Sequence, residues 1–281
     1  MNRIMARRIL TALLWVSLPL SAQPKLIVDS LFSQSLSSTI RFSILLPGGY
    51  DASNRYPVLF LLHGYDGGHT DWTSRTALVS FMDGLSLIIV MPDAGNSWYV
   101  NSLSNPSRRI EDFLLTDLTI HLIEQYSVDE KRQAVAGLSM GGFGAVMLAM
   151  KHPQRFRFAG SLSGALSVPG DIDFWEDQPW GKRLAPNLKE TFGSAPNAFR
   201  DAHNPFLLVK NLQSSSSPYL YLVMGTNDGF VGFLPAHRML ADTLRAHDIP
   251  YEYHEVPGGH SWEFWGRTVR PMIERMMDFL K

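Results

Sequence analysis

The chain has 281 residues, 45% of them hydrophobic, a formal net charge of −1 and no cysteine. That length and apolar share suffice for one sizeable core, and the absence of thiols excludes disulfides, thiolate metal sites and cysteine nucleophiles. A near-neutral chain without a basic stripe argues against nucleic acid as a partner.

The first 22 residues are a different material from the rest. Arg3, Arg7 and Arg8 precede the apolar stretch 9–16, and the small residues Ser21 and Ala22 follow. This layout predicts a signal peptide over 1–22, cleaved after Ala22, and a periplasmic or secreted product. Carried on to Leu20, the apolar segment covers about 12 residues against the roughly 20 of a membrane-spanning helix, so an uncleaved anchor is the weaker reading. No cysteine follows that could carry a lipid. Removing the segment leaves a mildly acidic chain of about −4.

From residue 23 to 281 the chain reads as one domain without repeats or long linkers. Residues 41–46 alternate at first, as an edge or antiparallel strand does. Residues 58–62, 87–91 and 219–224 are unbroken apolar runs, the pattern of strands buried on both faces of a parallel sheet. Residues 158–162 are a weaker run of this type, and 251–256 a further strand. Apolar stripes spaced three and four apart predict helices over 109–126, 233–247 and 263–280. Strands alternating with helices predict an α/β domain with a mainly parallel central sheet flanked by helices. Between about 165 and 218 the pattern lapses, which predicts an insertion over the carboxyl edge of the sheet, where open α/β sheets bind ligands.

The chemistry concentrates at Gly137-Leu138-Ser139-Met140-Gly141, between the apolar run ending at Ala136 and a helical stretch starting at Gly142. A Gly-x-Ser-x-Gly turn from strand to helix is tight enough to admit only small residues beside the serine, and its strain holds the hydroxyl out of the sheet. Ser139 then needs a base. His260, in Val256-Pro257-Gly258-Gly259-His260-Ser261-Trp262, follows a strand on a loop that its glycines let curl. His63 is the runner-up because it also ends a strand, whereas His121, His237 and His247 fall inside helical stretches. Asp228 follows the strand 219–224 and is the candidate for orienting the imidazole; a plain turn aspartate is the alternative. Asp242 and Asp248 are rivals by distance along the chain. The order Ser139, Asp228, His260 is that of α/β-hydrolases. Two backbone amides must face the developing oxyanion: Met140, after the nucleophile, and Tyr65, in the glycine-rich loop 63–68, for which a plain glycine-rich turn is the alternative.

The segments Leu62-His63-Gly64-Tyr65, Met91-Pro92-Asp93-Ala94-Gly95-Asn96-Ser97-Trp98-Tyr99, 136–144 and Gly258-Gly259-His260-Ser261-Trp262 resemble the esterase D/antigen 85/feruloyl esterase group of α/β-hydrolases. The resemblance spans roughly residues 40 to 280. It implies an α/β-hydrolase fold, a serine triad of Ser139, Asp228 and His260, and oxyanion amides at Tyr65 and Met140. It further implies that Trp98 lies close to the acyl site and that His63 belongs to the oxyanion loop.

Other features point elsewhere or nowhere. Asp171, Asp173, Glu176 and Asp177 crowd into seven residues, but lack the glycine and terminal carboxylate of a calcium loop and read as a solvated loop. Phe174, Trp175, Trp180, Phe192 and Phe199 form either a platform for a sugar or aromatic acyl group or the packing of an irregular insertion. His-Glu-x-x-His is absent, and no lysine follows a glycine-rich loop, so neither a metal nor a phosphate-bearing cofactor is called for. The sequence therefore predicts an exported serine carboxylesterase for small or polysaccharide-linked esters, acetyl or feruloyl, working through an acyl-enzyme. An acyltransferase of the antigen 85 type, passing the acyl group to a sugar hydroxyl, is the alternative. A carbohydrate-binding or chaperone-like descendant with an idle site is the non-enzymatic one.

Overall fold

The computed structural model describes residues 23–281; the predicted signal peptide, 1–22, lies outside the described residues. Eight strands form one sheet: β1 (Lys25–Ser33), β2 (Ser38–Leu46), β3 (Tyr56–Leu62), β4 (Ile88–Pro92), β5 (Val128–Leu138), β6 (Phe156–Leu162), β7 (Tyr219–Gly225) and β8 (Tyr251–Val256). Their order is β1-β2-β4-β3-β5-β6-β7-β8. β1 and β2 pair antiparallel, as do β2 and β4, and every later pairing is parallel.

The unbroken apolar runs have a direct cause in β3. Val58, Phe60 and Leu62 enter the core on one face of the sheet, while Leu59 and Leu61 enter the core on the other. A strand that feeds two cores has no solvent face to alternate with. Helices α1 (Asp71–Arg75), α2 (Leu78–Phe81) and, at the end of the chain, a long helix beginning at Trp262 cover one face through Trp72, Leu78, Val269 and Met272. The opposite face is covered by a helical segment between β4 and β5, by the helix after β5 and by the segments between β6 and β8.

Three expectations are corrected or narrowed. Residues 109–126 do not form one regular helix: α3 (Ile110–Asp112) passes into a π-helical turn, Phe113–Leu118, and then α4 (Thr119–Gln125). The Thr119 hydroxyl donates to the Leu114 carbonyl at 2.9 Å, five residues back across the wider turn. The alternating segment near residue 41 is β2, antiparallel to both its neighbours as one of the two expected alternatives has it, and not an edge, because β1 covers it; the exposed Leu26, Val28 and Phe32 of β1 leave that strand without a clear alternation.

The third change concerns the insertion between β6 and β7. It is largely helical: α6 (Ile172–Asp177) and α7 (Gly181–Phe192) follow α5 (Met140–Lys151) in the chain, and α8 (Ala198–Ala202) and α9 (Pro205–Leu208) complete it. The acidic cluster is thus a short helix rather than a loop. Its Ile172 and Trp175 are buried, and its Asp171, Asp173 and Asp177 stay exposed. Helices α10 (Phe233–Ala246) and α11 (Trp262–Met276) flank β8. α11 stops short of the predicted residue 280, in a turn over 277–279. Among the described residues no helix is long and apolar enough to cross a membrane.

Candidate active site

Ser139 occupies the turn from β5 into α5 at φ 53 and ψ −117, far outside the regions a non-glycine residue favours. The strain is held from both sides. Its N–H donates to Leu162 of β6 at 3.0 Å, and its carbonyl accepts from Phe143 and Ala165. The glycines of the pentapeptide are fixed by contact: a Cβ on Gly141 would lie 2.6 Å from the carbonyl oxygens of both Leu62 and His63. Strand, serine and helix pack too closely for any larger residue there.

Asp228 and His260 come from the loops after β7 and β8, neighbouring parallel strands whose carboxyl ends open on the same rim as Ser139. His260 Nδ1 lies 2.8 Å from Asp228 Oδ2, and its Nε2 lies 2.9 Å from Ser139 Oγ. The Asp228 carboxylate is only 1% exposed, and its other oxygen accepts the Phe230 N–H at 3.0 Å. A buried, ionised acceptor on Nδ1 keeps the proton there and leaves Nε2 free to accept from the hydroxyl. Phe230, Phe233 and Trp265 surround the imidazole with ring centroids at 4.4, 5.6 and 4.9 Å. The rivals lie elsewhere: Asp242 pairs with Arg245 on the outside of α10, and Asp248 sits in the turn after it.

His63 is fully occupied. Its Nε2 accepts the Ala94 N–H at 3.0 Å, so the ring proton is on Nδ1, which donates to the Gly64 carbonyl at 2.8 Å. Burial holds its pKa below the ordinary histidine value. The Tyr99 hydroxyl donates to the His63 carbonyl at 2.8 Å, and burial pushes that phenol's pKa well up. His63 therefore fastens the loop 63–68 to the loop after β4. In doing so it brings Gly64, where an added Cβ would be 3.6 Å from Ser139 Cβ, and Tyr65 to the rim of the site. Met140 is the first residue of the 12-residue α5, where backbone N–H groups carry the positive end of the helix.

A cleft of about 530 Å³ opens over Ser139 and His260. Its wall includes Tyr65, Trp98, Trp175, Trp180, Trp262 and Phe230. The aromatic residues of the insertion thus divide. Trp175 and Trp180 line the cleft, Phe192 packs on Phe143 beneath it, Phe199 packs on His203, and Phe174 is exposed. Trp98, at φ 58, is almost wholly buried, with its indole N–H donating to Asn187 at 2.7 Å. Among the described residues no three His, Asp or Glu side chains are grouped to hold a metal ion. Sequence reasoning passed over Asn96, Arg183 and Asn187, which meet beside Tyr65; only Asn96 stood within a quoted segment.

Residues 33–276 match the Esterase family model, described as "Putative esterase". The chain belongs to the Esterase family. It is 34% identical over 243 residues to Esterase Rv1288 of Mycobacterium tuberculosis, a match covering 78% of this chain and 52% of that protein. The chain thus spans about half the length of that relative. Against an acetyl esterase of Caldicellulosiruptor saccharolyticus it is 25% identical over 233 residues, 80% of this chain and 84% of the other. The fold is that of a solved ferulic acid esterase, with a TM-score of 0.76 at 24% identity over 92% of this chain and all of that one. The resemblance read from the four segments, and the α/β-hydrolase fold it implied, are borne out by these matches.

Proposed function

We propose that this member of the Esterase family is an exported serine carboxylesterase acting on short-chain or carbohydrate-linked esters, acetyl or feruloyl, through an acyl-enzyme. The observation that carries the reading is the continuous relay from Asp228 through His260 to Ser139, with contacts of 2.8 and 2.9 Å. In it, Ser139 Oγ attacks the ester carbonyl while His260 Nε2 takes its proton. The negative charge that forms on the carbonyl oxygen is received by the Tyr65 and Met140 amides. His260 then gives the proton to the departing alkoxide, and Asp228 stabilises the imidazolium in between. Water, deprotonated by the same imidazole, releases the acid and restores the serine.

The names of the relatives, an acetyl esterase and a ferulic acid esterase, support the substrate class. The cleft supports it in another way: Tyr65, Trp180, Phe230 and Trp262, only partly buried in its wall, offer flat apolar faces suited to an aromatic acyl group or a sugar ring. Export rests on the composition of residues 1–22.

Two measurements test the reading. A fluorophosphonate probe should attach to Ser139 of the intact protein, and p-nitrophenyl acetate and methyl ferulate should be hydrolysed. An unlabelled serine would overturn the mechanism. Transfer of the acyl group to an added sugar in preference to water would replace hydrolysis with transfer.

A further inference from the structure

Arg183 and Asn187 stand four residues apart on α7 and so share one face of that helix. Arg183 pairs with the Asp66 carboxylate, and its guanidinium lies 5.9 Å from the centre of the Tyr65 ring. Asn187 donates Nδ2–H to the Asn96 carbonyl at 2.9 Å and accepts the Trp98 indole N–H at 2.7 Å. Asn96 in turn holds Asp66 twice. The Asp66 N–H donates to Asn96 Oδ1 at 2.7 Å, and Asn96 Nδ2–H donates to Asp66 Oδ1 at 2.9 Å.

Asp66 follows Tyr65 directly and sits at φ 59, a left-handed conformation that a non-glycine residue keeps only when its surroundings over-determine it. The reciprocal pair with Asn96 supplies that determination. The peptide plane preceding Asp66 includes the Tyr65 carbonyl, so the Asn96 clamp fixes the backbone immediately after the amide assigned to the oxyanion. Asn187 keeps Asn96 in place from the insertion, and an amide aimed at a transient charge has to be aimed before that charge forms.

We propose that Asn96 is a positioning residue for the oxyanion hole, acting through Asp66 on the Tyr65 amide and held in register by Asn187 of the insertion. This rests on the reading of Ser139 and Tyr65 given above. The insertion thereby completes the alignment of the hole as well as walling the cleft.

The test compares Asn96→Ala, Asn187→Ala and Asp66→Gly with the unaltered full chain. Turnover of p-nitrophenyl acetate and inhibition by an alkyl trifluoromethyl ketone, which adds Ser139 Oγ to form a hemiketal oxyanion, are the readouts. For Asn96→Ala, kcat should fall about 10- to 100-fold with KM little changed, as for a reacting group displaced by a fraction of an ångström. The inhibition constant of the ketone should rise by the same factor, which a loss of folded protein alone would not produce. Asp66→Gly keeps the fold safe, since glycine accepts the positive φ without strain, and it should show the same pairing of effects. Folded variants with unchanged kcat and unchanged ketone inhibition would overturn the role of Asn96 alone. Failure of the unaltered protein to take a fluorophosphonate at Ser139 would instead overturn the site on which the role rests.

Discussion

His260 Nε2 stands 2.9 Å from Ser139 Oγ although 121 residues separate them in the chain. The parallel sheet makes this possible, because β5 and β8 both deliver their following loops to one rim. What makes the contact useful is the second bond, from Nδ1 to Asp228. Asp228→Asn is nearly isosteric and leaves an oxygen for the Phe230 N–H, but its amide offers a donor to Nδ1. The ring would then carry its proton on Nε2 and could not accept from the serine. Turnover is expected to fall by about 10³- to 10⁴-fold, with the melting temperature moved far less than that loss suggests. Steady-state hydrolysis of p-nitrophenyl acetate measures it, and a variant within tenfold of the unaltered protein contradicts the assignment.

His63→Ala tests the alternative base. Removing the ring orphans the buried Ala94 N–H and the Gly64 carbonyl and leaves a cavity under the loop 63–68. The expected cost is about 2–4 kcal/mol, from one unsatisfied buried donor plus lost packing. Urea denaturation reads it directly. Per folded molecule, the loss of turnover should be well below that of His260→Ala; an equal loss would make His63 part of the proton relay.

Much of this arrangement was legible in the chain because the physics behind it is local. Residues 58–62 show no alternation because each side chain meets a core, and the pentapeptide marks a turn only small residues can make. β1 was not legible: its exposed Leu26, Val28 and Phe32 blur the pattern of a half-buried strand. The insertion hid its helices for another reason. Pro186 lies inside α7, whose buried face mixes Ala185, Leu188 and Phe192 with Thr191, and α6 is only six residues long. The clamp of Asn96 on Asp66 spans 30 residues and depends on two loops meeting. No spacing rule announces such a contact.

Gly141→Ala probes the elbow itself. The new methyl would meet Leu62 and His63 backbone oxygens at 2.6 Å, and backbone cannot rotate away as a side chain can. β3 and α5 must separate, at a cost of about 3 kcal/mol or more. The same shift would carry the loop 63–68 away from Ser139, so activity should fall beyond the loss of folded protein. Gly229→Ala is the control: its Cβ would meet nothing within 4 Å, and stability should change by less than about 0.5 kcal/mol. Calorimetric melting of both variants separates the two cases.

His237 predicts how the protein responds to acid. It is fully buried on α10, with Nδ1–H donating to the Phe233 carbonyl at 2.8 Å and Nε2 without a partner among the described residues. Burial pushes its pKa down to about 4; the bond to Phe233 and the charges of Asp228 and Glu255 pull upward but are outweighed. An unfolded chain would protonate the same ring near 6.5. Between these values the unfolded state binds more protons, so stability falls as the pH falls. The contribution is complete above about 6.5 and is lost progressively towards 4, to a total of about 3 kcal/mol. His237→Asn offers an amide donor to the same carbonyl and does not titrate. From pH 7 to pH 4.5 the variant should lose about 2 kcal/mol less stability than the unaltered protein, as read by urea denaturation at the two pH values. An equal loss of stability in both proteins between these two pH values would remove His237 as its cause.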